Sequence, residues 1–169
     1  MITFDNVTFD GCAAEFFDLL EESKQGGRNA APRLQQALSC LVGVEVARAR
    51  EGTDPARLAA FRRDSAAALA TMADDLQYFA EHLADQAEQF IDATEADWAD
   101  WYDFCLRRSE VELLRTHYAD SPAFQAILAD DVERADRELR RVGAEQTEPL
   151  PARLVPAGLP ASHWWWRHP

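Results

Sequence analysis

Basic residues are scarce in this sequence. Seventeen Lys and Arg stand against thirty Asp and Glu, which gives the 169-residue chain a formal net charge of −13 at pH 7. No Lys or Arg occurs from 64 to 106, although that stretch contains eleven Asp and Glu. A charge of this sign repels nucleic acid and anionic lipid and attracts basic proteins, or serves only to keep the chain soluble. We therefore expect no direct binding to nucleic acid, no membrane binding, and a basic protein as the partner.

Signals for secretion, membrane insertion and disulfide formation are also missing. No run approaches the eighteen apolar residues of a transmembrane helix, and the N-terminal residues contain neither a basic segment nor an apolar run. The three cysteines, Cys12, Cys40 and Cys105, lie far apart and lack Cys-x-x-Cys spacing. They are typical of core residues in a reducing compartment. These absences favour a cytoplasmic protein, and the preference for Arg over Lys is typical of a GC-rich bacterial genome.

Glycine and proline are absent from 56 to 121. Within this stretch a mostly apolar series recurs at an average step of 3.6, the period of a straight α-helix. The series comprises Leu58, Phe61, Ser65, Leu69, Met72, Leu76, Phe79, Leu83, Ala87, Phe90, Thr94, Trp98, Trp101 and Cys105. One unbroken helix would measure about 100 Å, so we expect a break. Capping-box patterns begin at Thr94 and Ser109, and because the series passes through Thr94, the break is predicted near Ser109.

The predicted fold is all-α. Residues 1–143 are expected to form an acidic bundle of about four main helices plus short ones, with a short extended arm over 1–11. Residues 144–169 contain five of the eight prolines and three adjacent tryptophans. Because proline cannot continue a helix, this segment is predicted to be an irregular tail that packs on the bundle or on a partner.

Several helix ends and one central segment can be predicted from local residues. Asp10 is the expected N-cap of the first helix, and Gly143 is the expected end of the last one. The segment 41–46 is rich in β-branched residues and would suit a helix or a strand. Its helix-favouring flanks indicate helix, with Glu45 expected to point outward.

Carboxylates of the long predicted helix fall opposite the apolar series. Like charges at these spacings repel one another by a few tenths of a kcal/mol per pair, and no base within the stretch relieves them. Tyr78 falls on the same side, where an aromatic ring can stack on an arginine of a partner. We predict a partner-binding surface formed by Asp74, Tyr78, Glu81, Asp85, Glu88 and Asp92. The alternatives are a solvated face and a face neutralised by arginines of neighbouring helices.

The run Trp164, Trp165 and Trp166 is the rarest local feature. Successive side chains of an extended segment point to opposite sides, so three adjacent rings cannot all enter one groove. The tail therefore either folds back on its own bundle or offers at least one tryptophan to a partner or a second copy. We include all three rings among the predicted partner-binding residues, which leaves a homo-oligomer as a possible outcome.

Catalytic and metal-binding patterns are absent from the sequence. It contains no Gly-x-Ser-x-Gly, phosphate-binding loop or dinucleotide-binding motif, and no Glu-x-x-His of a carboxylate-bridged metal site. Two His-x-x-Asp pairs, His82 with Asp85 and His117 with Asp120, are the remaining metal candidates. We predict no catalytic residue, no metal ligand and no cofactor.

The function expected from these patterns is a non-catalytic module that presents an acidic helical face to a basic partner. An immunity protein, an antitoxin, an inhibitor or a DNA mimic would have this character. The alternative is a structural adaptor or self-assembling subunit that docks through its tryptophan tail. A small helical enzyme or metal-binding bundle is the third possibility.

Overall fold

A computed structural model of the chain describes residues 4–92, 98–118, 120, 129–145 and 150–167. The predicted all-α fold is confirmed, since no strand occurs within these ranges. The α-helices are α1 (Phe9–Lys24), α2 (Ala30–Glu51), α3 (Pro55–Leu69), α4 (Ala73–Asp92), α5 (Trp98–His117) and α6 (Ala129–Glu145). None of the helices in the described ranges is long and apolar enough to cross a membrane.

The first helix begins earlier than the sequence predicts. Thr8, not Asp10, is its N-cap, because the Thr8 hydroxyl accepts a hydrogen bond from the Gly11 amide while Asp10 lies in the first turn. The predicted extended arm over 1–11 is therefore wrong for Phe9–Gly11. Over the described residues before the helix, the Arg50 guanidinium donates to the carbonyl oxygens of Asp5 and Val7, which fixes this short segment against α2.

Helix α2 is continuous through the β-branched segment 41–46, which confirms the helical prediction. Its residues are buried on most sides, and this burial outweighs the weak helix preference of valine. A glycine within the helix has a packing reason, since a Cβ at position 43 would lie 2.6 Å from Cys12 Sγ. Gly43 thus allows α1 and α2 to pack closely against each other.

The stretch that lacks glycine and proline forms α3, a 3₁₀ turn over Ala70–Met72, α4 and α5. The members of the apolar series that lie in the described part of the chain point inward as predicted, with Leu69 and Leu76 fully buried. The predicted break near Ser109 is wrong, because α5 runs through this residue. Ser109 is buried and bonds to the tail instead of capping a helix. The other predicted capping box, at Thr94, lies outside the described residues.

The tail packs on the helices and adds to the core. Helix α6 continues through Gly143, so this glycine does not end the helix as predicted. Further along, Leu150, Leu159, Trp165 and Trp166 are buried. At Gly158 the backbone has φ 89°, and a Cβ there would collide with Ala49 of α2. The tail therefore crosses α2 at a distance that only glycine permits.

Candidate functional site

The outward face of α4 is most open in its first two turns. Asp74 and Asp75 are exposed, and Tyr78 is 65% exposed, the largest exposed apolar side chain in the described part of the chain. The ring of His82, one turn later, lies parallel to Tyr78, with centroids 5.9 Å apart and an interplanar angle of 6°. An exposed aromatic pair therefore stands among carboxylates that project from the same helix.

Further along α4, carboxylates of the acidic face contact other side chains of the same molecule. The Gln77 amide donates to Glu81 Oε1 at 2.9 Å, and Arg134 Nη2 of α6 lies 3.4 Å from Asp85 Oδ1. Exposed ion pairs of this kind contribute about 0–1 kcal/mol, so Arg134 relieves repulsion only locally. Within the described ranges, the ion pairs include Asp85 but neither Asp74 nor Asp75. Among the described members of the face, the predicted alternative of neutralisation by a neighbouring helix thus applies to Asp85.

The last two predicted members of the face are known only by their place in the helix. Glu88 and Asp92 belong to α4, but their side chains lie outside the described part of the structure. The geometry therefore concentrates the candidate surface at Asp74, Asp75 and Tyr78.

A groove of about 450 Å³ runs beside Tyr78. One wall is the start of α2 with Ala31 and Leu34, and the opposite wall includes Met72 and Phe79. Tyr78 forms an edge between this groove and the acidic face, because its position on the helix lies between the groove-lining residues and the remaining carboxylates. The volume lies within the range of pockets that bind small ligands or side chains, roughly 300–1,000 Å³.

A buried polar network lies behind the groove. Arg107 of α5, which lines the groove, donates to Gln35 Oε1, and Gln35 Nε2 donates to Glu110 Oε2 at 2.6 Å. Glu110 is fully buried, and burial raises its pKa to about 8 although hydrogen bonds from Ser39 and Gln35 oppose the rise. The network holds Arg107 in place on the groove wall and joins α2 to α5.

Hydrogen-bond geometry favours the protonated form of Glu110. The Ser39 hydroxyl oxygen lies 2.6 Å from Glu110 Oε1 and 3.1 Å from the Gln35 carbonyl oxygen. A hydroxyl has a single hydrogen. If the carboxylic acid donates to Ser39, the Ser39 hydrogen is available for the Gln35 carbonyl, and both short contacts are satisfied.

The tail is held by one serine hydroxyl of α5. The indole N–H groups of Trp165 and Trp166 donate to Ser109 Oγ at 3.0 and 2.7 Å, and His163 Nδ1 lies 3.0 Å from the same oxygen. Because the two indoles occupy its acceptor sites, Ser109 donates its hydrogen to His163 Nδ1. His163 is therefore neutral with its proton on Nε2. Burial lowers its pKa to about 4, with a further lowering from Arg108.

Two arginines stack on tryptophan rings of the tail. The Arg108 guanidinium carbon lies 4.3 Å from the centre of the Trp165 ring, and Arg140 lies 4.1 Å from the ring of Trp164. Arg108 also pairs with Asp136 of α6 at 2.6 Å. Of the three tryptophans, Trp165 and Trp166 are buried and Trp164 is half-buried. A partner cannot reach the two buried rings while the tail lies on α5.

Glu45 does not point outward as expected, since it is buried at 3% exposure. Its carboxylate lies 2.7 Å from both Arg48 Nε and Arg62 Nη2. Burial acts to raise the Glu45 pKa, but the hydrogen bonds from Arg62 and Arg48 outweigh it and lower the pKa below its usual value. The expectation failed because α3 brings Arg62 to this position from another helix.

The predicted His-x-x-Asp pairs have other neighbours. His82 stacks on Tyr78, and His117 Nε2 lies 3.5 Å from Glu45 Oε1 and 3.1 Å from Arg62 Nη2. Across the described ranges, no three His, Cys, Asp or Glu side chains form a group that could hold a metal ion.

The burial of the polar residues Ser109 and Glu110 was not predicted from the sequence. A usable signal existed for Ser109, because a further step of four residues in the apolar series, beyond Cys105, reaches it. No local pattern could have found the groove, since Ala31 and Tyr78 come from helices that are distant in the sequence.

Comparison of the chain with protein-family models, with curated proteins and with solved structures found no match.

Proposed function

We propose that this protein is a non-catalytic binding protein that presents the acidic face of α4 to a basic protein partner. The observation that carries the proposal is the exposed group of Asp74, Asp75 and Tyr78 at the start of this face. Further along α4, Gln77 and Arg134 engage Glu81 and Asp85. The open carboxylates remain available to basic side chains of another molecule.

Electrostatics explains how such a face would work. A net charge of −13 steers a basic protein toward the molecule and increases the rate of association. Tyr78 then supplies contact area of the kind that is enriched at interface centres. An immunity protein, an antitoxin, an inhibitor or a DNA mimic would act in this way, by covering the basic functional surface of its partner.

The tail gives weaker support to the alternative of self-assembly. Docking through the tryptophans would require Trp165 and Trp166 to leave the Ser109 hydroxyl, and Trp165 to leave Arg108. The acidic face needs no such rearrangement, and it is therefore the preferred binding surface.

A charge-reversal pull-down from the native host tests the proposal. The test variant is D74K/D75K/D85K, and the matched control reverses three exposed carboxylates elsewhere, E15K/D18K/D64K. We expect the wild type and the control to retain a basic protein at about 50 mM salt and to lose it at about 300 mM, because screening weakens surface electrostatics. The test variant should not retain it at either concentration. Equal retention by all three proteins would refute the proposal.

A further inference from the structure

We propose that the groove beside Tyr78 binds one large apolar side chain of the basic partner, while neighbouring Arg or Lys residues of that partner contact Asp74 and Asp75. This inference rests on the proposed function and defines the chemistry of the recognised segment. The segment is an aliphatic or aromatic residue flanked by basic residues.

The walls of the groove determine the apolar character of the inserted side chain. Ala31, Pro32, Leu34, Met72 and Phe79 line it, with the ring of Tyr78 at its edge. Tyr78 is the most exposed large apolar residue that the structure describes. An inserted side chain would cover the exposed ring and occupy part of the space of about 450 Å³ between α2 and α4. Both changes remove apolar surface from water, which favours binding.

The charges around the groove determine where the basic residues of the partner lie. Arg107 stands on the groove wall, where its contact with Gln35 fixes it, and its charge opposes the entry of a cation. Asp75 lines the outer part of the same groove, and Asp74 is exposed one position earlier on α4. An apolar residue therefore enters, and a basic neighbour remains at the edge, where its guanidinium or ammonium group can also contact the Tyr78 ring.

The same charges disfavour the other occupants of such a groove. A second copy of this chain would bring another −13 charge to a face that is already negative, and charge repulsion opposes that association. An acidic peptide meets Asp74 and Asp75 at the edge. A basic partner with an exposed apolar residue complements both the apolar wall of the groove and the carboxylates at its edge.

Defined peptides test the proposal without knowledge of the natural partner. The probes are short fluorescent peptides of alternating Arg and Lys around one central residue, which is Leu, Trp or Ala. Fluorescence anisotropy measures their affinities at about 50 mM salt, where surface attraction is weakly screened. We expect the Leu and Trp peptides to bind the wild type about tenfold to a hundredfold more tightly than the Ala peptide, as burial of one large side chain predicts.

Two variants separate the groove from the acidic face. Ala31→Trp fills the groove from an exposed position, and Ala14→Trp, which adds the same ring to the exposed surface of α1, is its control. We expect A31W to bind all three peptides as weakly as the wild type binds the Ala peptide, and A14W to behave as the wild type does. Circular dichroism confirms that both variants are folded.

The outcomes distinguish failure of the groove from failure of the proposed function. If all peptides bind the wild type equally and D74K/D75K/D85K abolishes that binding, the groove proposal is overturned and the acidic face stands. The groove proposal is also overturned if A31W retains the preference for Leu and Trp. If D74K/D75K/D85K binds every peptide as tightly as the wild type does, both proposals are overturned.

Discussion

Glu110 places a carboxyl group in the interior, where burial favours its protonated form over the charged one. Its oxygens contact Ser39 and Gln35 at 2.6 Å each, and it is fully buried between α2 and α5. Arg107 is the nearby base that lowers its pKa, yet Arg107 bonds to Gln35 and not to the carboxyl group. Such an arrangement makes the stability of the fold depend on pH.

The first prediction is that Glu110→Gln removes a loss of stability at high pH. Burial raises the pKa of Glu110 from 4.5 to about 8. Its contribution to folding is therefore fully present below pH 4.5 and is lost as the pH rises through 8, at about 1.4 kcal/mol per pH unit. The amide that replaces the carboxyl group would offer N–H and C=O groups to Ser39 and Gln35 without ionising. We expect the variant to gain about 3–5 kcal/mol relative to the wild type between pH 4.5 and pH 8.

Urea denaturation at several pH values measures this difference directly. Glu15→Gln, an exposed substitution of the same type on α1, is the control and should follow the wild type throughout. Parallel stability curves for the wild type and E110Q would contradict the prediction, because they would mean that Glu110 is ionised in the folded protein.

The second prediction concerns the Ser109 hydroxyl. Ser109→Ala removes the acceptor of the Trp165 and Trp166 indoles and the donor to His163. The Trp165 indole still reaches the Cys105 carbonyl oxygen at 3.1 Å, but the Trp166 indole loses the bond to Ser109. Because a buried unsatisfied donor costs about 1–3 kcal/mol, we expect a loss of roughly 2–4 kcal/mol in urea denaturation.

Thr116→Ala is the matched control for this substitution on the same helix. Its hydroxyl is exposed and bonds only to the Glu112 carbonyl oxygen of its own helix at 2.7 Å, so its removal should change stability by about 0.5 kcal/mol or less. Equal effects of the two substitutions would show that Ser109 does not hold the tail.

The C-terminal tail is the element whose attachment depends most on one titratable group. His163 is buried, and burial followed by the charge of Arg108 lowers its pKa from 6.5 to about 4, although the charge of Glu112 acts to raise it. Protonation would place a hydrogen on Nδ1, which in the neutral ring accepts from Ser109. The charged ring would lose this bond and oppose the adjacent Arg108.

The third prediction is that the tail loses its attachment in acid through His163. A lowered pKa means that the stabilising contribution is fully present above pH 6.5 and is lost as the pH falls through 4. The side-chain oxygen of Asn can replace Nδ1 as an acceptor. On acidification we therefore expect the free energy of unfolding of His163→Asn to fall by about 2–3 kcal/mol less than that of the wild type. Urea denaturation between pH 7 and pH 4 provides the measurement. Identical acid sensitivity of both proteins would assign the loss to other groups.

The helices differ in how well the sequence predicts them. In α4, the inward Leu76 and Leu83 and the outward Tyr78 were predicted correctly, because a period of 3.6 determines which side of a helix is buried. In α5, the capping-box pattern at Ser109 led to a wrong break. The hydroxyl that a helix start would use is bonded to residues 54 to 57 positions later. A local pattern contains no information about such distant partners.

The negative charge of the candidate site could be predicted from the sequence, but its shape could not. Composition and period identified Asp74 and Tyr78 on one exposed face. The groove beside them depends on how α2 packs near α4 and on the position of Arg107 in α5, and a single sequence does not specify packing between distant helices. Likewise, Glu45 was expected outside because its partner Arg62 lies on α3.

At the scale of the whole molecule, the excess negative charge should lower stability. Self-repulsion at a net charge of −13 destabilises the compact state, and salt screens it over a Debye length of about 10 Å at 0.1 M. The exposed Asp74, Asp75 and Asp85 project from the same helix, so their mutual repulsion is a part of this cost that substitution can remove.

The fourth prediction is that added salt and neutralisation of the acidic face both reduce the same repulsion between carboxylates. We expect the melting temperature of the wild type to rise by several degrees from about 20 to 300 mM NaCl. D74N/D75N/D85N should melt higher than the wild type at low salt and rise less on addition of salt. E15Q/D64N/E133Q, which neutralises exposed carboxylates on three different helices, should give a smaller gain, because its charges do not share one helix. A lower melting temperature of D74N/D75N/D85N would show that these carboxylates stabilise the fold, which would remove the reason to regard them as retained for binding.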